Sequence, residues 1–368
     1  MNVNIIATAC MSIVVLTACA LSSESRWQSP HFRDGKFVNL EPYQQDFGFS
    51  RTLEIVEKFW FTEFPDTEPD HELPVQPLTR QQLSSRVQDA VYRLGHSTVL
   101  MKLNGQYWLT DPIFSERASP VQWMGPKRFH GVPINPTTLP EITGVIISHD
   151  HYDHLDEDSI ESLKDRVQHF FVPLGVAKYL KDWGVPDQKI HELDWWQSVS
   201  VEGMRLTATP SNHFSGRGLF NRNETLWASW VIDSGKKKIF FSGDSGYFDG
   251  FKEIGKEFGP FDLTIMENGA YNTDWAKSHM FPEETIQAHK DLNGKQMLPV
   301  HHGTFKLAFH TWFDPMESIS RLGQQHQIPV LTPMMGQEVI IGGSQTYAAW
   351  WLDAMPKAQD VAQFQSEP

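Results

Sequence analysis

From about residue 91 onward, short apolar runs alternate with polar, turn-rich stretches, the pattern of a layered α/β domain. Val91-Tyr92-Arg93-Leu94 and Ser97 to Leu103 predict strands, and Asn104-Gly105 predicts a tight hairpin turn before Tyr107-Trp108-Leu109. Val145-Ile146-Ile147 reads as a short buried strand that runs straight into a histidine-rich loop, and Asp156 to Leu163 as a helix. The alternation continues with a strand at Phe170-Phe171-Val172, a helix from Val176 to Trp183, and strands at Met204 to Ala208, Trp227 to Ile232, Lys238 to Phe241 and Asp262 to Met266. Pro282 to Leu292 predicts a helix opened by its proline, followed by a strand at Met297 to Val300. A helix from Pro315 to Leu322 and a strand at Val339-Ile340-Ile341 complete the pattern. Leu21 to about Arg86 differs: it is polar and broken by Pro42, Pro65, Pro69, Pro74 and Pro77, with one helix-like stretch from Thr52 to Phe61. It reads as an extension that packs on the main domain and partly serves as a tether.

Residues 1–18 carry no charge and include the run Ile13-Val14-Val15-Leu16, too short to span a bilayer and ending on small residues. Leu16-Thr17-Ala18-Cys19 matches the bacterial lipoprotein box, in which the cysteine takes diacylglycerol and becomes the mature N-terminus; Met1-Asn2-Val3-Asn4 lacks the usual Lys or Arg. An ordinary cleaved signal is the alternative. Ala20 after the cysteine, where Asp would retain a lipoprotein at the inner membrane, points to the outer membrane. Both cysteines, Cys10 and Cys19, fall in this region, so the body has neither disulfide nor thiolate ligand. The expected division is a signal peptide at 1–18, an extension at 19–86, a catalytic domain at 87–355 and a tail at 356–368.

Composition narrows the functions. A net charge of −14 argues against a nucleic-acid partner. The basic run Lys236-Lys237-Lys238 reads as a solvated hairpin turn, with contact to anionic lipid headgroups as the lesser reading. Thirteen Trp and 24 Phe imply a heavily filled core, some rings being available to line an apolar cleft.

The chemistry concentrates in Ser148-His149-Asp150-His151-Tyr152-Asp153-His154-Leu155-Asp156. Imidazole and carboxylate are the donors that suit Zn2+. In an extended loop His149 and His151 can share one metal, while Asp153 and His154, further round the turn, can hold a second. Three histidines in six positions directly after a buried strand are poorly explained as a polar loop. Further donors stand past other strands: His213, Asp244 in Ser242-Gly243-Asp244-Ser245-Gly246, and the pair His301-His302. The glycines beside Asp244 are expected to let the backbone approach a metal closely.

These motifs resemble the metallo-β-lactamase superfamily. The stretches "LWASWVID", "FFSGDSGYF", "IGKEFGPFDLTIMENGAY", "FPEETIQAH" and "VHHGTF" resemble, within it, the branch of the N-acyl-phosphatidylethanolamine-hydrolysing phospholipases D. The lipobox fits the RomA-type bacterial outer-membrane proteins of the same group. The resemblance spans about Phe37 to Trp351. It implies an α/β fold, the αββα sandwich of two mixed sheets flanked by helices, with an N-terminal extension. It implies two Zn2+ ions, one on His149, His151 and His213, the other on Asp153, His154 and His301, with Asp244 bridging. The motif selects His301 over His302, which stands where the lipase carries an aromatic residue. His279 matches a position implicated in substrate handling; a surface histidine is the plainer reading. Asp150 and Asp156 either orient ligands or are ordinary loop carboxylates.

The function so implied is an exported zinc hydrolase, a phosphodiesterase working through a two-metal-activated hydroxide, with Asp244 positioning the nucleophile and His279 serving the leaving side. Its substrate is a small-molecule or lipid phosphodiester, and its place an outer-membrane lipoprotein held by the lipid on Cys19. A UlaG-like lactonase is the nearest rival. A non-catalytic envelope lipoprotein that affects permeability or drug susceptibility is the reading outside catalysis.

Overall fold

The computed structural model describes residues 27–41, 54–55, 57–58, 61–218 and 220–356. The leader, the lipobox cysteine and the C-terminal tail lie outside them, as does much of the predicted 52–61 helix, whose described residues are helical. Among the described residues no helix is long and apolar enough to cross a membrane.

Fifteen strands are described. A small hairpin pairs β1 (Phe32–Arg33) with β2 (Lys36–Phe37). A seven-stranded sheet contains β3 (Ala90–Gly95), β4 (Thr98–Leu103), β5 (Gln106–Thr110), β6 (Ile142–Ile146), β7 (Val167–Pro173), β8 (Ile190–Leu193) and β15 (Glu338–Ile340), in the order β15-β3-β4-β5-β6-β7-β8. A six-stranded sheet contains β9 (Ser198–Val201), β10 (Met204–Thr209), β11 (Ser229–Asp233), β12 (Lys238–Phe241), β13 (Leu263–Glu267) and β14 (Met297–Val300), in the order β14-β13-β12-β11-β10-β9. Each sheet joins an antiparallel meander to a parallel run, β5 to β8 in one and β12 to β14 in the other.

Side-chain alternation makes four layers of this. Along β4, Val99, Met101 and Leu103 face the other sheet, while Leu100 faces outward. On β12, Ile239 and Phe241 point inward and Phe240 outward. The inner faces meet in one core with Trp108, Trp230 and Phe171, all fully buried or nearly so. The outer face of the larger sheet is covered by α1 (Arg80–Ser85), α2 (Glu157–Leu163) and α3 (Ala177–Asp182). α4 (Gly250–Phe258), α5 (Pro282–Asp291) and α6 (Asp314–His326) cover the smaller one. This is an αββα sandwich. The aromatic load goes largely into its layers.

The predicted strands and helices are present within a few residues, including the Asn104-Gly105 turn, where both residues take positive φ. α1, α4, the β1–β2 hairpin and the edge strands β8 and β9 were not predicted. α4 carries Gly250 and Gly255, poor helix formers that hide its pattern. The extension is stitched on by Phe37, which is fully buried in the inter-sheet core, worth roughly 1.5–3 kcal/mol.

Candidate metal centre

The carboxyl ends of several strands open at one edge of the sandwich, where α/β sheets place ligands. The loop after β6 delivers His149, His151, Asp153 and His154; His213 follows β10, Asp244 follows β12 and His301 follows β14. The structure brings all seven together in two overlapping groups.

In the first group, candidate donor atoms of His149, His151, His213 and Asp244 lie within 4.8 Å of one another. His149 Nε2 is 2.8 Å and His213 Nε2 3.3 Å from His151 Nδ1, and the same two nitrogens are 3.8 and 3.7 Å from Asp244 Oδ2. The second group joins Asp153, His154 and His301 to His96. His154 Nε2 and His301 Nε2 each lie 3.4 Å from Asp153 Oδ2, and 3.2 and 3.1 Å from the Asp244 oxygens. Asp244 therefore stands between the groups. Donors around a tetrahedral zinc sit about 3.3 Å apart, so these spacings suit a cation in each group.

A second observation fits cations better than protons alone. His154 Nε2, His301 Nε2 and Asp244 Oδ1 are sealed from water and, among the described residues, have no hydrogen-bond partner. Native interiors rarely leave such atoms orphaned; here they converge as lone pairs around a metal would. His151, Asp153 and His279 are the partly open members and form the mouth.

Three contributors were not foreseen. Asp111, just past β5, accepts from His154 Nδ1 at 2.7 Å and from Ser148 Oγ at 2.6 Å and N at 2.7 Å. His96, in the β3–β4 turn, has Nε2 3.0 Å from Asp153 Oδ2, and its ring lies 4.0 Å from that of His301, tilted by 48°. Glu267, the last residue of β13, has a carboxyl oxygen 2.7 Å from His279 Nδ1. The available signal was a polar residue closing an apolar strand, upstream of the histidine-rich loop for His96 and Asp111.

The structure also decides between readings that the sequence left open. Asp150 and Asp156 hydrogen-bond to no histidine: Asp150 braces Gly216, Tyr179 and Thr225, and Asp156 braces Ser115 and Ser159. The carboxylate that orients a ligand candidate is Asp111. The glycines beside Asp244 are required by chain packing. A Cβ on Gly243 would meet Ser148 at 2.5 Å, and one on Gly246 the Lys277 carbonyl at 2.0 Å. His302 is held away from both groups, its Nε2 2.9 Å from buried Arg93 and its Nδ1 on the Val300 carbonyl. His279 is not a surface residue; its ring lies 5.1 Å from His301 and 5.2 Å from His213.

The groups differ electrostatically. Burial drives His149 and His213 well below the usual histidine range and lowers His151. In the second group burial acts the same way, but the Asp244 carboxylate overrides it, with help from Asp153. His154 is carried well above its ordinary value and His301 to about 9. Burial holds His279 down to about 4 and, together with the charge of Asp244, presses Glu267 upward. Strain gathers here too: His96, Asp111, Ala270 and His301 have φ of 35, 33, 55 and 67°.

Residues 107–302 match the model of the β-lactamase superfamily domain. The chain is 33% identical over 267 residues to N-acyl-phosphatidylethanolamine-hydrolyzing phospholipase D 1 of Caenorhabditis elegans, covering 69% of this chain and 75% of that one. Over 94 residues it is 57% identical to the outer membrane protein RomA of Klebsiella pneumoniae, covering 26% of this chain and 70% of that one. A metallo hydrolase of the archaeon Ignicoccus hospitalis superposes with a TM-score of 0.53 at 19% identity, over 69% of this chain and 98% of that one.

Proposed function

Given that the chain belongs to the β-lactamase superfamily of metal-dependent hydrolases, in the group of the N-acyl-phosphatidylethanolamine-hydrolysing phospholipases D, we propose that it is a zinc phosphodiesterase of the cell envelope. The observation that carries this reading is the place of Asp244, whose carboxylate lies 3.1–3.8 Å from four histidines of two groups. One ion would be held by His149, His151, His213 and Asp244, the other by Asp153, His154, His301 and Asp244. When bound, such a pair supplies Lewis acidity that makes a water nucleophilic near neutral pH and offsets charge on the attacked phosphoryl group.

The chain's own residues do the rest. Asp111 and His96 hold His154 and Asp153 in place. Asp244 orients the attacking water between the groups, and His279, on the rim, handles a proton. The phosphodiester preference is supported by the identity to the nematode enzyme. The envelope is supported by the partial likeness to RomA and by the lipobox at Cys19.

The test pairs metal analysis with turnover of bis(p-nitrophenyl) phosphate, with a lactone and a β-lactam assayed beside it. Phosphodiester turnover should accompany about two zinc ions per chain. Asp244→Asn should cut it by about 10³-fold or more, the scale of losing a charge-stabilising group. Turnover of the lactone alone would replace the phosphodiesterase reading with a lactonase, and metal without turnover would remove catalysis. Incorporation of labelled palmitate, lost in Cys19→Ser, tests the anchor.

A further inference from the structure

β13 is wholly buried, and its one charged residue is the last, Glu267, which is 0% exposed. Among the described residues its ion-pair partner is not a lysine or arginine but His279. One oxygen lies 2.7 Å from His279 Nδ1, and the other accepts from the Met280 backbone N–H at 2.5 Å. Burying a carboxylate costs several kcal/mol, so packing alone does not account for it. Anchoring the Met280 N–H needs only one neutral acceptor. The second oxygen faces an imidazole that is 12% exposed and lies between the rings of His213 and His301. Carboxylates behind imidazoles decide which ring nitrogen carries the proton.

We propose that Glu267 is a positioning residue that keeps the His279 proton on Nδ1, so that Nε2 presents a lone pair and takes the proton of the attacking water. This rests on the hydrolase reading above and reverses the sense expected from sequence, in which His279 serves the leaving side. As the new O–P bond forms, the water proton passes to Nε2. As the ester P–O bond breaks, the departing alkoxide takes a proton from solvent, and the imidazolium returns its extra proton to solvent. One water is consumed, and His279 ends neutral with its proton on Nδ1. The alternative, in which Glu267 keeps its own proton and donates it to Nδ1, would put the imidazole proton on Nε2.

Nitrogen NMR of histidine-labelled, zinc-loaded protein separates the two, with the His279 signals assigned by their loss in His279→Ala. The expected spectrum has a protonated Nδ1 and an unprotonated Nε2. In Glu267→Gln the side-chain carbonyl must accept from Met280, so the amide donates to Nδ1 and the tautomer should invert. That variant should keep its zinc and its KM while kcat falls about 10–100-fold. Glu267→Asp should recover part of the loss, and it serves as the test if the glutamine variant does not fold. In the His279→Ala background, Glu267→Gln should cost less than about twofold, as expected for residues acting as one unit. An Nε2–H tautomer in the unaltered protein, loss of zinc in Glu267→Gln, or equal cost in both backgrounds would overturn the proposal. If the unaltered protein hydrolyses none of the three substrates, the hydrolase reading fails, while the tautomer still decides what Glu267 does.

Discussion

The first donor group leans on neutral partners, whereas the second is embedded among carboxylates. His213 Nδ1 reaches the Ser278 carbonyl at 3.0 Å, and His149 Nδ1 lies 2.9 Å from Ser148 Oγ. His154 instead donates to Asp111, and Asp153 is flanked by His96, His154 and His301. Two sites built from nearly the same residue types, a few ångströms apart, are thus poised oppositely toward protons. The first has its imidazoles shifted toward the neutral form that ligates; in the second they are shifted toward the protonated form, which an incoming cation must displace.

The sharpest way to break this contrast is pH. An imidazolium cannot ligate, so a group whose value is raised loses metal affinity as pH falls below that value, and a group whose value is lowered does not. With His301 at about 9 and His154 also raised, affinity at the second group should fall at least about tenfold per pH unit below that, about 10³-fold or more by pH 6. The first group, with its histidines lowered, should hold its affinity through the ordinary histidine range. Two-step zinc titrations against a competing chelator should diverge between pH 9 and 6; parallel curves would remove the distinction.

A smaller effect should come from the brace. The two oxygens of Asp111 accept three donors, from His154, Ser148 Oγ and Ser148 N. In Asp111→Asn a single carbonyl remains for them. Zinc affinity at the second group should drop about 10–100-fold and leave the first unchanged, read by the same titration. Equal loss at both would mean that the groups are one mechanical unit.

The smallest effect isolates backbone from ligand. His301→Ala and His301→Gly remove the same donor, but glycine accepts a φ of 67° without a Cβ clash. Metal-free His301→Gly should therefore unfold about 1 kcal/mol later than His301→Ala in a denaturant titration. The reverse order would show that no strain is stored there.

Much of this was legible because strands carry an alternating signature and because the histidine-rich loop packs its chemistry into consecutive positions. His213, Asp244 and His301 were readable as donors placed just past apolar runs. Asp111, His96 and Glu267 were not, since each acts across the fold on a residue 12 to 57 positions away. No local pattern encodes such a meeting. The packing role of Gly243 was hidden for the same reason: its neighbour is Ser148, brought in from the other sheet. The extension gave a related lesson. Its polar composition hides Asn39, which bonds both the His213 carbonyl and the His213 N–H.

The left-handed residues around the centre carry a consequence for descent. His96, Asp111, Ala270 and His301 each hold a backbone shape that glycine would adopt more cheaply. As long as the reaction is under selection, those positions resist drift. In a lineage that no longer needs it, glycine at 96, 111 or 301 would be favoured by folding itself, so the scaffold would shed its chemistry before its shape.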